Sequence, residues 1–318
     1  MKKNILGKTG IAVTPVGFGV LTVGRTQLDM PVREGAALLR YALERGVNFL
    51  DTAQYYETYP YIREALRGTR LAPVIVSKSL HAGGREMREA IEEARRALDR
   101  DVIDVFLLHE LRHGNDFASR RGAFEALCEA KTKGLVRAVG ASTHHVDVAE
   151  RMAEIPEMDV LFALINHKGL GIRKGADPGE RDEMAAAVKK AAEAGLGVFA
   201  MKVFGGGNLV GDYLNALDYV SALPGIHSMM LGIGRRDEVD RMIEYAEGRI
   251  DRNYKPDISE KRIHVDQGDC EGCGACVGRC PNHALYFNDG GLADVDHALC
   301  LRCGYCAPVC PVRAIILF

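Results

Sequence analysis

Short apolar runs and amphipathic stretches alternate along the first 246 residues of the chain. The apolar runs are hydrophobic at nearly every position, which indicates strands buried on both faces, as in a parallel sheet. The stretches between them repeat their apolar positions with the period of an amphipathic helix. The predicted strands are 16–19, 48–52, 74–78, 102–109, 136–142, 160–166, 197–204 and 227–233, with helices between them that include 31–45, 84–98 and 181–194.

Eight strand–helix units in this length of chain predict an α/β fold of the (β/α)8 TIM-barrel type. An open, doubly wound sheet alternates strands and helices in the same way. That fold usually opens its first helix with the pattern G-x-G-x-x-G, which this chain lacks there. The number of strands therefore favours the barrel.

The pattern changes after residue 247. In residues 248–262, "GRIDRNYKPDISEKR", eight of the fifteen residues are charged, which predicts a solvated linker. Residues 263–318 contain an internal repeat, because each cysteine from 270 to 280 has a counterpart 30 residues later. Short strands are predicted at "HALYF" and "RAIILF", with a turn at "NDGG". We therefore predict a barrel over 1–247, a linker over 248–262 and a small second domain over 263–318.

Composition and charge exclude several classes of function. The net charge is −2, with 47% hydrophobic and 26% charged residues, so no long-range field attracts nucleic acid or an anionic membrane. The longest apolar runs, such as "VFLL" and "AIILF", are too short to span a bilayer. The first ten residues lack the apolar stretch of a secretory signal, so we expect a cytoplasmic protein with reduced thiols.

Eight of the nine cysteines occur in two copies of the spacing C-x2-C-x2-C-x3-C-P. Three closely spaced thiolates bind one face of a cubane, and the fourth cysteine reaches the other cluster. The spacing predicts one [4Fe–4S] cluster on Cys270, Cys273, Cys276 and Cys310, and a second on Cys300, Cys303, Cys306 and Cys280.

Pairs of C-x2-C also build zinc sites, which is the alternative interpretation. The tandem copy and the two prolines, Pro281 and Pro311, favour iron–sulfur clusters. The segment resembles a bacterial two-cluster ferredoxin, which implies a small α+β domain after the barrel. The ninth cysteine, Cys128, lies in a helical pattern and is predicted to be a buried core thiol.

Three ionisable residues end three consecutive predicted strands: Asp51, Lys78 and His109. The C-terminal ends of barrel strands form the active-site rim, so we expect these side chains to meet there. Each also has a structural explanation, as a cap, a solvated strand end or a satisfied core histidine. A tyrosine beside the lysine ammonium is expected to have a lowered phenol pKa and to donate a proton to a carbonyl oxygen. Spacing alone does not choose among the four tyrosines of residues 55–61.

The stretches "LGKTGIAVTPVGFG", "FLDTAQYY", "VIVSK", "DVFLLH" and "VGAST" resemble the aldo-keto reductase superfamily over residues 1–246. The resemblance implies that Tyr56, in the pattern D-T-A-x-x-Y, is the acid/base. It implies that Lys78 tunes Tyr56, that Asp51 pairs with the lysine and that His109 orients the substrate oxygen. It further implies carbonyl reduction with NADPH or NADH, and the added cysteine domain is similar to a ferredoxin-fused subgroup of this superfamily.

The nicotinamide positions match this superfamily less well. Ser142 fits the serine near the carboxamide, but the usual glutamine is Phe162 and the usual stacking aromatic residue is Met201. Gly234 stands where a basic residue often contacts the ribose phosphate, and Arg241 and Met242 replace the usual Glu-Asn pair. The loops "FGGGN" and "LGIGRR" still favour an anionic ligand, because barrels often bind phosphate there. The expected cofactor contacts are Ser142, Met201, Gly205, Gly232, Gly234, Arg235 and Arg236.

Three hypotheses for the function follow. The first is a carbonyl oxidoreductase that uses NAD(P)H and whose clusters exchange electrons with a partner protein. The second is a reductase without nicotinamide, in which the clusters feed electrons to the substrate and the tetrad supplies protons. The third is a redox sensor or electron carrier in which the barrel is only a docking platform. The expected partners are a small carbonyl substrate and a redox protein.

Overall fold

A computed structural model describes residues 1–113, 115–259, 261–301 and 303–317. In these residues eight parallel strands close into a barrel, in which each strand pairs with its neighbour along the chain and the last pairs with the first. The predicted TIM barrel is thereby confirmed. The barrel strands are β1 (Val16–Gly19), β2 (Phe49–Asp51), β3 (Val74–Ser79), β4 (Ile103–Leu111), β5 (Val136–Thr143), β6 (Val160–Leu164), β7 (Gly197–Met201) and β8 (Ile226–Gly232).

Amphipathic helices surround the barrel and bury their apolar faces on it. The predicted helix over 84–98 is found with the same bounds; the helix predicted over 31–45 is shorter by one residue at each end, and that over 181–194 by one residue at its C-terminal end. The helices are α1 (Val32–Glu44), α2 (Tyr59–Leu66), α3 (Gly84–Leu98), α4 (Asp116–Ser119), α5 (Arg121–Thr132), α6 (Val146–Met152), α7 (Arg181–Glu193), α8 (Tyr213–Ala222), α9 (Arg236–Ala246) and α10 (Ala275–Arg279). No helix in the described ranges is both long and apolar enough to cross a membrane.

The inside of the barrel is a packed core. A hairpin of Asn4–Ile5 and Ala12–Val13 carries Leu6 and Ile11 into it at the N-terminal end. At mid-height the ring of Phe162 stacks on Phe199 with centroids 4.2 Å apart. Because apolar side chains fill the interior from below, the polar strand ends are left at the C-terminal mouth.

The C-terminal unit is built from two short antiparallel pairs. β9 (Ile263–Val265) pairs with β12 (Ile315–Leu317), and β10 (Leu285–Phe287) pairs with β11 (Ala293–Val295) across the turn at "NDGG". The sequence repeat is also a structural one, because Cys270 N donates to Asp266 O and Cys300 N to Asp296 O, each at 3.0 Å. The strands expected at the ends of both halves are present. The exact domain boundaries stay a prediction.

This unit sits on the C-terminal mouth of the barrel. Leu317 N donates to Gly206 O at 2.8 Å, and Asn208 Nδ2 donates to Ile315 O at 2.9 Å. The backbone of Gly207 has φ +86°, and a Cβ on it would lie 1.8 Å from Leu317 O. The glycine-rich loop after β7 is thus the seat of β12, which brings the cysteine domain against the strand ends.

Candidate active site

Asp51 and Lys78 form a buried ion pair at the ends of β2 and β3. Lys78 Nζ donates to Asp51 Oδ1 at 2.6 Å and to Thr52 O at 2.7 Å, and the lysine side chain is 1% exposed. Parallel pairing of β2 with β3 places both residues on the inner rim. Burial raises the pKa of Asp51 and lowers that of Lys78, while their mutual attraction opposes both shifts.

Tyr56 and His109 complete the predicted group. Tyr56 lies on a single helical turn after β2, and its Oη is 3.3 Å from His109 Nε2. Lys78 Nζ lies 4.7 Å from the centroid of the Tyr56 ring. The four residues predicted from the strand ends and from the resemblance are therefore brought together by the fold.

The ionisation of this group differs from the expectation in one respect. Burial, followed by the carboxylate of Asp51, raises the pKa of Tyr56 well above its ordinary value. The lowered phenol pKa expected from Lys78 is therefore wrong, because burial and the neighbouring carboxylates raise the pKa instead. Burial and the charge of Lys78 lower the pKa of His109 well below its ordinary value, so the imidazole is neutral.

The buried side chain of Arg120 hydrogen-bonds to the backbone of His109 and of the neighbouring strand. Arg120 donates from Nη1 to His109 O at 2.7 Å and from Nη2 to Ser79 O at 2.9 Å. Nδ1 of His109 is buried without a hydrogen-bond partner among the described residues. Ser142, at the end of β5, accepts a hydrogen bond from Glu110 N at 2.8 Å, so it lies beside the histidine strand.

An ion pair that the sequence reasoning missed joins the two domains. Lys202, the residue after β7, donates from Nζ to Asp269 Oδ2 at 3.0 Å. Burial opposes the charges of both groups, but the pairing is stronger: it raises the pKa of Lys202 and lowers that of Asp269. Asp269 directly precedes Cys270 and also contributes to the raised pKa of Tyr56. The sequence features that could have indicated this ion pair are a lysine at a strand end and an aspartate directly before a cysteine motif.

A cavity of about 540 Å³ lies between the loops after β7 and β8 and the C-terminal unit. Apolar side chains form much of its wall, and the polar side chains along it include both cations and carboxylates. The cavity approaches the tetrad at Lys202 and Asp269, but none of the four tetrad residues lines it. The charged residues of its wall are Lys202, Arg235, Glu238, Lys261, Arg262, Asp266 and Asp269.

The predicted cofactor residues divide between this cavity and other places. Gly232, Gly234 and Arg235 line the cavity. Arg236 does not, since its guanidinium stacks on the ring of Tyr41 at 5.0 Å, and Gly205 packs against Leu209.

Two further predicted positions lie at or inside the barrel mouth. Met201 ends β7 and packs against the inner core. Phe162 is held between Phe199 and the ammonium of Lys78, which lies 5.3 Å from its ring. All seven predicted cofactor contacts, Ser142, Met201, Gly205, Gly232, Gly234, Arg235 and Arg236, stay predictions.

Contacts between cysteines cross the sequence repeat, while the ligation of the two clusters stays a prediction. Burial and the neighbouring thiols of Cys310 and Cys270 raise the pKa of Cys276, which places Cys310 with the first motif. A small cavity is lined by Cys280, Cys300, Cys303 and Cys306, which places Cys280 with the second motif. Backbone amides approach both crossing sulfurs, Ala284 N to Cys280 Sγ at 3.2 Å and Ala314 N to Cys310 Sγ at 3.3 Å. Cys128 is half-buried against the barrel core, away from both groups.

Sequence models of two families match this chain. The aldo/keto reductase family matches residues 15–249, and the 4Fe-4S dicluster domain matches residues 269–314. The second match favours iron–sulfur clusters over zinc in the cysteine domain.

Curated relatives match only part of the barrel. A 6-dehydroglucose reductase from Novosphingobium aromaticivorans is 31% identical over 171 residues, which is 45% of this chain and 51% of the relative. An L-galactose dehydrogenase from Arabidopsis thaliana is 26% identical over 157 residues, which is 45% of this chain and 49% of the relative. The chain thus spans about half the length of these two relatives.

Solved structures match the whole barrel. A putative aldo-keto reductase from Pseudomonas aeruginosa superimposes with a TM-score of 0.66 and 26% identity, covering 78% of this chain and 96% of that one. An aldo-keto reductase from Klebsiella pneumoniae, solved in complex with NADPH, has a TM-score of 0.60 and 20% identity over 79% of this chain and 92% of that one. The second likeness concerns the fold alone.

Proposed function

The chain belongs to the aldo/keto reductase family, and we propose that it reduces a small carbonyl substrate with NADPH or NADH while two [4Fe–4S] clusters exchange electrons with a redox protein. The observation that carries the proposal is the convergence of Asp51, Tyr56, Lys78 and His109 at the barrel mouth. A buried ion pair, a phenol over the ammonium and a neutral histidine within reach of the phenol form a proton-donating group.

The ionisation of this group supports the reductive direction. His109 is neutral, so Nε2 donates to a substrate carbonyl oxygen in the tautomer that carries its proton there. Tyr56 is a protonated phenol at neutral pH, as its raised pKa ensures, and in the proposed reaction it transfers that proton to the alkoxide that develops as the carbonyl is reduced. The same raised pKa disfavours the phenolate that alcohol oxidation requires.

The cavity that includes Lys202 and Asp269 in its wall is the candidate site for a nicotinamide dinucleotide. Its apolar wall suits planar rings, and the guanidinium of Arg235 supplies a cation for phosphate, whereas Gly234 N already donates to Glu238 Oε2 at 2.8 Å. Lys261 and Arg262 add two cations from the linker. A reduced nicotinamide bound there supplies the hydride, and the protein residues position the substrate and deliver the proton.

The cysteine contacts across the sequence repeat support a crossed set of cluster ligands. We assign Cys270, Cys273, Cys276 and Cys310 to cluster I, and Cys280, Cys300, Cys303 and Cys306 to cluster II. The amide contacts to Cys280 and Cys310 are the kind that stabilise thiolate ligands.

The substrate class is suggested by the relatives. Their names include 6-dehydroglucose reductase, L-galactose dehydrogenase and D-threo-aldose 1-dehydrogenase. We propose a small polyhydroxylated carbonyl compound, to be sought among aldoses, ketoses and sugar lactones.

A second candidate function is favoured by one specific contact. The residue before Cys270 bonds to Lys202 at the barrel mouth, so cluster I would lie on the barrel side of the cysteine domain. In this version the clusters reduce the substrate directly, without nicotinamide. Phe162 and Met201, which replace the expected carboxamide and ring contacts, point the same way. A purely sensory or carrier role is disfavoured, because a docking platform does not require an assembled tetrad.

Anaerobic titration distinguishes these functions. The purified holoprotein is titrated with NADPH and with NADH, and nicotinamide binding and cluster absorbance are measured. The reduction of candidate aldoses, ketoses and sugar lactones is measured in the same samples. Carbonyl reduction that needs nicotinamide supports the first function. Reduction that proceeds with a one-electron donor alone, with no nicotinamide binding, supports the second.

Two neighbouring arginines give a matched control for the cofactor site. Arg235→Ala removes a cation from the cavity wall, and we expect it to weaken NADPH binding about tenfold or more. Arg236→Ala removes a cation that stacks on Tyr41 outside the cavity, and we expect binding within about twofold of the parent. Equal effects of the two substitutions would contradict binding in this cavity.

A further inference from the structure

Large apolar side chains are exposed around the ligands of cluster II. Leu301 is 68% exposed, Tyr305 55% and Leu299 45%, and Cys303, between them along the chain, is exposed as well. The guanidinium of Arg279 stacks on the Tyr305 ring at 5.5 Å. We call the surface formed by these residues and Arg279 the distal face. Leu301 also lines the small cavity that contains the four thiols of cluster II, so the distal face lies directly over that cluster.

The barrel contacts of the cysteine domain are made on the side of cluster I. Asp269 and Glu271, which flank Cys270, bond to Lys202 at 3.0 Å and to Arg112 at 3.3 Å. Pro311, which follows Cys310, accepts a hydrogen bond from Arg173 at 3.3 Å.

None of the hydrogen bonds or ion pairs found among the described residues joins residues 280–309 to the barrel. Cluster I is therefore proximal to the active site, and cluster II points away from it.

Charge is distributed unevenly between the two sides. The carboxylates of the domain near the barrel are Asp266, Asp269 and Glu271, beside cluster I. Residues 272–288 and 297–317 contain no Asp or Glu; they carry all four ligands of cluster II and three of cluster I, and Asp289, Asp294 and Asp296 lie in the segment between them. The carboxylate of Asp296, next to the second of these segments, accepts a hydrogen bond from Ala298 N at 2.8 Å. The distal face thus combines apolar side chains with the exposed cation of Arg279.

We propose that the distal face is the docking surface for a small acidic one-electron carrier protein that reduces cluster II. In each encounter the carrier loses one electron and the oxidised cluster II gains it, with no proton transferred. Cluster II would then pass the electron to cluster I, whose predicted ligands include Cys270, beside the Asp269–Lys202 contact with the barrel. The apolar centre and the cation match a carrier whose own redox centre is surrounded by carboxylates, since opposite charges steer the encounter. This inference requires the clusters of the proposed function but not its tetrad or nicotinamide site.

The test uses the anaerobic holoprotein with Leu301→Glu and Arg279→Glu. Both substitutions place a carboxylate on the distal face. Val102→Glu is the matched control, because Val102 is an exposed apolar residue just before β4, at the opposite end of the barrel. Cluster absorbance is followed by stopped flow after mixing with flavodoxin hydroquinone, an acidic carrier, or with dithionite. Iron content and the dithionite reaction report whether the clusters, and hence that part of the proposed function, are intact.

We expect the flavodoxin rate to fall about tenfold or more in both distal-face variants and to stay within about twofold in Val102→Glu. Dithionite should reduce the clusters of every variant to the same extent. The flavodoxin rate of the parent should fall as salt is added, and less steeply in Arg279→Glu.

Three results would overturn the proposal. One is a flavodoxin rate that neither distal-face variant changes, and another is a rate in the parent that does not depend on salt. The third is a parent protein that sediments as a dimer and becomes a monomer with Leu301→Glu, which would assign the distal face to a second copy of the chain.

Discussion

Gly207→Ala tests the seat of the cysteine domain on the barrel. A Cβ at this position would lie 1.8 Å from Leu317 O, and the backbone has φ +86°. The left-handed conformation costs an alanine about 1–2 kcal/mol. Displacement of β12 also breaks the hydrogen bond from Leu317 N to Gly206 O, which contributes about 1 kcal/mol. We therefore expect the free energy of unfolding of the docked domain to fall by about 2–3 kcal/mol.

Gly46→Ala is the control for the backbone term. Gly46 has a similar φ of +95°, but nothing lies within 4 Å of its missing Cβ. It should lose only the conformational part, about 1–2 kcal/mol. Hydrogen exchange of the peptide that contains Ile315–Leu317 measures the docking directly, and only Gly207→Ala should speed it. Equal exchange in the two variants would refute the docked arrangement.

Three further predictions concern the thiols, the pH dependence and the buried ion pair. Cys280→Ser should remove the electron paramagnetic resonance signal of cluster II and leave that of cluster I, whereas the control Cys128→Ser should change neither signal. Loss of the cluster I signal in Cys280→Ser would disprove the crossed ligation. Burial and Lys202 lower the pKa of His144 to about 3, so the unfolded chain binds more protons between about pH 6.5 and about 3. The free energy of unfolding should fall as the pH drops through that range, and His144→Gln should flatten the decline in denaturant titrations. Lys78→Met should lower the free energy of unfolding by about 3–5 kcal/mol, because it leaves the buried carboxylate of Asp51 unpaired. Replacing both Asp51 and Lys78 by apolar residues should recover most of that loss; no recovery would show that the unpaired carboxylate is not its cause.

The barrel and most of the tetrad could be predicted because they depend on local signals. Continuous apolar runs fix the strands, and Asp51, Lys78 and His109 occupy strand ends, which all meet at one mouth in a parallel barrel. The spacing of the cysteines also predicts a crossed set of cluster ligands, which stays a prediction. The choice of Tyr56 among four tyrosines required the resemblance to a family, because a loop position carries no periodicity.

The contacts between the domains could not be predicted in the same way. The loop "FGGGN" has the glycines of a phosphate loop, but in the structure Gly206 and Gly207 accept the last strand of the chain. Lys202 and Asp269 are 67 residues apart, and no pattern in either segment specifies the other. From the sequence, the charge of Lys78 was expected to lower the pKa of Tyr56. In the folded protein, burial and the neighbouring carboxylates raise it, and neither effect can be read from the sequence because both depend on the assembled barrel mouth.

The most direct measurement compares carbonyl reduction by Tyr56→Phe and Tyr55→Phe in anaerobic holoprotein of equal iron content. Tyr56→Phe keeps the aromatic ring near Lys78 and removes only the hydroxyl group. Tyr55, in contrast, has an exposed side chain beside Gly268. We predict that Tyr56→Phe lowers kcat about 10²–10⁴-fold and that Tyr55→Phe stays within about twofold of the parent. Activity of Tyr56→Phe equal to that of Tyr55→Phe would contradict proton donation by Tyr56 and, with it, the proposed reductase.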